Sequence, residues 1–171
     1  MTIAQALKRV KRIKSDIADL TKKIMDNLYT EVIESSTGSR KEVTGDYNPV
    51  EMHAKRREKV VEIANLKNRL MTTNVSTYVS IPAEGGSEDV SIQTLILRLA
   101  NVREDLSVLR SISNSKPGGV MGWGTRNTHA VTTYIDRYDK KIIDEDIKMM
   151  EDWAETLDTI LQKVNHTTEL V

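Results

Sequence analysis

Apolar residues at the start of the chain recur every seven positions, at Ile3, Val10, Ile17 and Ile24, with Ala6, Ile13 and Leu20 interleaved. A seven-residue repeat with β-branched side chains on one row is the pattern of a helix that buries a seam against another helix. Leu7 and Leu28 widen the stripe, which favours burial in a bundle over a two-stranded coil. Thr2 followed three residues later by Gln5 is a capping box that starts this helix, predicted over ~3–28. Residues 29–47 then break the period with Ser35-Ser36-Thr37-Gly38 and Gly45, and their weak alternation predicts a loop or a small β-hairpin.

Asn48-Pro49-Val50-Glu51 combines an N-cap, a proline at the first helical position and an early acid, and predicts a second helix over ~49–73. Its apolar face, Val50, Met52, Val60, Ile63, Leu66 and Leu70, is less regular, and Lys55-Arg56-Arg57 interrupts it. After Asn74 the period becomes two. Thr77-Tyr78-Val79-Ser80-Ile81, the turn residues Pro82 and Gly85-Gly86, and Asp89-Val90-Ser91 predict a β-hairpin over ~76–91. A third helix follows from a Ser91 cap over ~92–112. It carries the cleanest seam, with Ile92, Leu99 and Leu106 on one row and Leu95, Val102 and Leu109 on the other.

Residues 113–129 are a loop rich in Gly, Ser and Asn, and Ala130–Ile135 has the pattern of a short strand. A fourth helix is expected over ~139–165, with Ile143, Met150, Leu157 and Val164 in register and Ile147, Trp153, Ile160 and Leu161 beside them. A helix of ~25 residues is ~37 Å long at 1.5 Å per residue. The expectation is a mainly α, single-domain protein over 1–171. Four long amphipathic helices form a bundle or paired helical hairpins, with one or two small β-hairpins at the ends.

Composition narrows the chemistry. Phe is absent and 29% of residues are charged, so any core must come from aliphatic side chains. There is no cysteine, which removes disulfides, thiolate metal sites and thiol catalysis. Formal net charge is zero, but residues 1–75 hold 15 Lys/Arg against 10 Asp/Glu, and residues 76–171 hold 10 against 15. Such an asymmetry implies halves that attract each other, within a chain or between copies, unless it is scatter over solvated faces. The first residues lack the apolar core of a signal peptide, and no apolar run approaches the ~20 residues of a membrane span. The expected location is cytoplasmic, or a virion if the chain is phage-encoded.

Several short segments carry a resemblance. They are Leu157-Asp158-Thr159-Ile160-Leu161-Gln162-Lys163-Val164-Asn165, Thr73-Asn74-Val75-Ser76-Thr77, the opening Met1-Thr2-Ile3-Ala4-Gln5-Ala6-Leu7, and Leu109-Arg110-Ser111-Ile112. In order and spacing they resemble the septicolysin-like family of mostly uncharacterised bacterial helical proteins, over most of the chain. The sequence departs from that pattern at His166, where the family usually has an aromatic residue, and in the glycine-rich insert around 117–124. The resemblance implies a helical fold and brings no activity with it.

Candidate sites are few. His53, His129 and His166 lie in three different elements and match no metal-binding spacing. Asp144, Glu145, Asp146, Glu151 and Asp152 crowd the start of the fourth helix, where the helix dipole favours acids in any case. Lys116 to Thr125 is glycine-rich but lacks the Gly-Lys-Ser/Thr ending of a phosphate loop. Its Trp123 and Met121 are candidate partner contacts, or fold back onto the helices. Lys8 and Arg12, together with Arg56 and Arg57, are candidate anion contacts; they either meet phosphates or pair with the acidic half.

These features predict a non-enzymatic scaffold or interaction protein that needs no cofactor, metal or small-molecule substrate. It self-associates or builds into a larger assembly such as a phage particle. The predicted assembly seam is Ile3, Val10, Ile17, Ile24, Ile92, Leu99, Leu106, Ile143, Met150 and Leu157. Two alternatives stand beside it: a membrane-active protein anchored by its basic amphipathic first helix, and a phosphate-backbone (nucleic-acid) binder.

Overall fold

The computed structural model describes residues 1–115 and 139–171. In chain order the elements are α1 (Ile3–Asp26), β1 (Glu31–Glu34), β2 (Arg40–Val43), α2 (Pro49–Ser76), β3 (Tyr78–Ala83), β4 (Gly86–Ser91), α3 (Ile92–Ser113) and α4 (Lys140–Thr167). The protein is mainly helical with two small antiparallel hairpins, β1–β2 and β3–β4. This is the class that the switch from a seven-residue to a two-residue period predicts. The helices are not uniformly long, running from 22 to 28 residues. The glycine-rich loop, the expected strand over 130–135, and with them Met121, Trp123 and His129, lie outside the described residues.

The helix starts are set by local chemistry. Thr2 and Gln5 exchange the two bonds of a capping box, at 3.1 and 3.3 Å. The Asn48 side chain accepts from the Val50 N–H ahead of α2, with Pro49 at the first helical position. Ser91 accepts from the Thr94 N–H, and Asp139 accepts from the Lys141 N–H. Each of these satisfies a donor that the helix geometry leaves unbonded.

Contacts divide the chain into two units, Met1–Thr77 with Val164–Val171, and Tyr78–Lys163. In the first, α1 and α2 lie side by side. They are antiparallel, because Arg9 meets Glu62 while Arg56 meets Thr21 further along. Buried positions are Ile3, Ala6 and Ile13 on α1 and Met52, Leu66, Leu70 and Thr73 on α2. Residues 168–171 complete this unit. The Ile3 N–H donates to Thr168 O and the Leu170 N–H to Met1 O, each at 3.0 Å. The Val171 N–H donates to Thr73 Oγ1 at 3.1 Å, and Arg69 Nε donates to Val171 O at 2.9 Å. Thr73 is fully enclosed, and its hydroxyl also donates to Arg69 O.

In the second unit, β3 and β4 pair from Tyr78↔Ser91 to Ala83↔Gly86. Gly85 turns the chain at φ +85°, a conformation that side-chain-bearing residues rarely adopt. The hairpin lays Ile81 and Val90 onto Leu95 and Leu99 of α3 and Leu157 of α4, with Val102, Trp153, Ile160 and Leu161 around them. Arg103 reaches Asp158 at 2.8 Å, Arg110 reaches Glu151 at 2.6 Å and Ser113 reaches Asp144 at 2.9 Å. Their order shows that α3 and α4 run antiparallel.

Candidate functional site

The irregular apolar face of α2 has a physical cause. Its inward positions are Met52, Arg56, Lys59, Ile63, Leu66, Leu70 and Thr73, a seven-residue repeat interrupted by two cations. Val50 and Val60, which the sequence places on the apolar face, are instead 75% and 41% exposed. The cations are accommodated by polar partners along α1 and α2. Arg56 Nε donates to Thr21 Oγ1 at 2.9 Å, and that hydroxyl donates on to Ile17 O at 2.7 Å. Arg9 Nε donates to Glu62 Oε1 at 2.9 Å, its Nη2 meets the same oxygen, and Lys59 Nζ lies 3.0 Å from Glu62 Oε2. These bonds, that of Arg9 foremost and then that of Lys59, hold the Glu62 carboxyl below the usual carboxylate range. Polar residues set into an apolar seam in this way favour one register of two helices over others.

Beside this layer a groove of about 450 Å³ is lined by Met1, Gln5, Lys8, Arg9, Arg12, Ile13, Asp16, Lys59 and Glu62. Lys8 and Arg12 thus come together on its wall, whereas Arg56 and Arg57 do not line it. Among the described residues Lys8, Arg12 and Arg57 meet no acid. Two acids of α4, Asp158 and Glu151, are engaged by Arg103 and Arg110 of α3. Arg9 and Lys59 of the basic half therefore find their acid in Glu62, close by on α2, and not on the fourth helix.

The expected seam lies on inward faces. Ile3, Ile92, Leu99, Leu106 and Leu157 are at most 5% exposed, and Val10, Ile17, Ile24, Ile143 and Met150 are half-buried. The five enclosed side chains do not reach a second chain, which leaves the half-buried positions and the outward surfaces for contacts to partners.

Two such surfaces were not evident from the sequence. On α4, Met149, Met150, Asp152, Trp153 and Thr156 line a hollow of about 490 Å³. The signal was the Met149-Met150-x-x-Trp153 spacing, which reads equally as core. The other is the β1–β2 hairpin, in which all eight strand residues are exposed on both faces. Val32, Ile33 and Val43 are 44%, 47% and 40% exposed, with Tyr29 at 87% and Tyr47 at 44% beside them. The hairpin is fastened at its base. Asn27 Oδ1 accepts from the Tyr47 N–H at 3.3 Å, and Lys23 Nζ sits 4.6 Å above the Tyr47 ring. Gly45 is required there, since a Cβ at that position would run into the Asn27 amide.

Among the described residues no three His, Asp or Glu side chains cluster closely enough to hold a metal ion. No described helix is long and apolar enough to cross a membrane.

Neither a protein-family model nor a curated protein matches this chain. Its fold is similar to that of a solved structure, the crystal structure of a functionally unknown conserved protein from Corynebacterium diphtheriae. The TM-score is 0.71 at 16% identity, over 100% of this chain and 99% of that one.

Proposed function

We propose that this protein is a non-enzymatic helical scaffold that self-associates or builds into a larger assembly through its outward β1–β2 hairpin. The observation that carries this reading is the hairpin's exposure: eight strand residues on two faces, none of them covered. An isolated two-stranded hairpin is at best marginally stable in water, and a third strand or a packed helix is what stabilises it. A partner that adds a strand supplies that stabilisation.

The covered apolar face of α1 favours this reading over a membrane anchor, because inserting α1 into lipid would first require stripping it from α2. The resemblance to the septicolysin-like family adds a helical fold and no chemistry. In this reading the helices supply the folded units and the hairpin the contact. Size-exclusion chromatography with light scattering tests it. The expected result is a mass that rises with concentration through the micromolar range, and a strict monomer throughout that range sinks it. A second reading, phosphate binding, rests on Lys8 and Arg12 sharing one groove wall. It predicts a salt-sensitive gel shift with double-stranded DNA that Lys8→Ala/Arg12→Ala abolishes.

A further inference from the structure

We propose that the partner of the β1–β2 hairpin is a second copy of this chain, and that the junction is heterologous: the outer edge of β1 in one copy pairs with the outer edge of β2 in the next. This rests on the assembly reading above and specifies its geometry.

The register pairs Glu31↔Val43, Val32↔Glu42, Ile33↔Lys41 and Glu34↔Arg40. The Ser35 N–H donates to Ser39 O at 2.8 Å just beyond the last pair. In an antiparallel ladder hydrogen-bonded and non-bonded pairs alternate. The bonded pairs are therefore 33/41 and 31/43. The main-chain N–H and C=O groups of Val32 and Glu34 point away from β2, and those of Arg40 and Glu42 point away from β1. Among the described residues the sheet has only these two strands, so both rows of main-chain groups are unpaired edges of the kind that recruits another strand.

Charge selects which edges meet. β1 reads Glu-Val-Ile-Glu, with two acids and no base. β2 reads Arg-Lys-Glu-Val, with two bases and one acid. An isologous β1–β1 junction would bring four acids and no base together, and a β2–β2 junction four bases and two acids, so each would join strands of like net charge. The β1–β2 combination is the one with opposite signs, and it already exists inside each hairpin, where Glu34 lies across from Arg40. Repeating it between copies extends the sheet strand by strand and keeps Ile33 and Val43 as diagonal neighbours on one of its faces. A heterologous junction of this kind has an open end on every copy, so it builds rings or filaments rather than closed two-fold dimers.

Proline at an outward-pointing position removes an edge donor without touching the internal ladder. Val32→Pro blocks the β1 edge, and Glu42→Pro blocks the β2 edge. Protection of the Ser35 amide in hydrogen exchange reports whether the hairpin is intact in each. Light scattering on wild type is expected to give a concentration-dependent series of oligomers, and each variant alone is expected to be monomeric. An equimolar mixture is expected to stop at a 1:1 dimer, since one partner keeps β2 and the other keeps β1. If Glu42→Pro alone dimerises the junction is β1–β1, and if Val32→Pro alone dimerises it is β2–β2. Either outcome overturns the proposal. If both variants assemble as wild type does, the assembly reading survives and this junction does not. A monomeric wild type removes both. Should the prolines unfold the hairpin, Arg40→Gln/Lys41→Gln leaves the backbone unaltered. Oligomer formation is expected to fall at least tenfold in that variant, and unchanged assembly overturns the proposal.

Discussion

The two hairpins are built from similar means and end in different circumstances. β3–β4 has six-residue strands, a glycine turn, and two side chains, Ile81 and Val90, enclosed against α3 and α4. β1–β2 has four-residue strands and encloses nothing. The first is part of a core: its strands are held by what lies beneath them, and Arg98 clamps Glu88 of β4 with two bonds of 2.8 and 2.9 Å. Among the described residues the second is held by its own ladder and by the contacts of Asn27 and Lys23 with Tyr47 at its base. Equal secondary structure thus carries unequal stability, and the unit that contributes least to the fold is the one left free to contact something else.

The two hairpins differ most at their buried positions. Leu95→Ala is expected to cost about 2–5 kcal/mol in a urea titration, since it opens a cavity in a closed cluster. Ile81→Ala should fall in the same range, and a loss below 1 kcal/mol at both sites would mean that the β3–β4 hairpin is no more anchored than its counterpart. Gly45→Ala is expected to cost about 1–3 kcal/mol by driving a methyl group into the Asn27 amide, an overpacking effect. It should loosen the fastening, seen as faster exchange of the Tyr47 amide. Ile33→Ala is expected to change stability by about 0.5 kcal/mol or less, as exposed substitutions do, while lowering the extent of assembly.

The smallest effect concerns pH. The bonds from Arg98 hold the Glu88 carboxyl below the ordinary range. A depressed carboxylate stabilises the fold above its unfolded value of about 4.3, and that contribution disappears as pH falls through the lower folded value. Acid titration of wild type and Arg98→Gln should therefore converge at low pH and diverge near neutrality. Parallel curves would show that the clamp contributes nothing.

Much of the fold was legible in the sequence because it rests on local chemistry. Thr2 with Gln5, Asn48 with Pro49, and Ser91 each fix a helix start within a few residues. The alternation ending at Pro82 and Gly85-Gly86 locates a hairpin. The seven-residue row of α3 identifies the face that is buried, from Ile92 to Leu106. What periodicity does not encode is which face meets which partner. Arg56 and Lys59 read as an interruption of α2 because their partners, Thr21 and Glu62, lie 35 residues away on α1 in one case and one turn on in the other. Val50 and Val60 read as core because hydrophobicity alone does not distinguish an inward valine from an outward one. The exposure of β1–β2 was illegible for the same reason. Four residues of weak alternation look alike whether or not a helix lies beneath them.

The pairing of residues 168–171 with the first residues of the chain has a consequence for the order of folding. The first unit is made of two separated stretches, 1–77 and 164–171, so the second is written into the middle of it. The bond from Ile3 to Thr168 closes nearly the whole chain into a loop. Each doubling of loop length costs only about 0.6 kcal/mol at equilibrium, so the closure is thermodynamically mild, but its timing is constrained. During synthesis the α1–α2 pair emerges and collapses first, with Thr73 Oγ1 still lacking its donor. It waits through the translation of everything up to Val171 before that donor arrives. Ribosome-bound chains halted before residue 164 should therefore hold a helical pair that is formed but unlatched, and residues 164–171 act as its clasp.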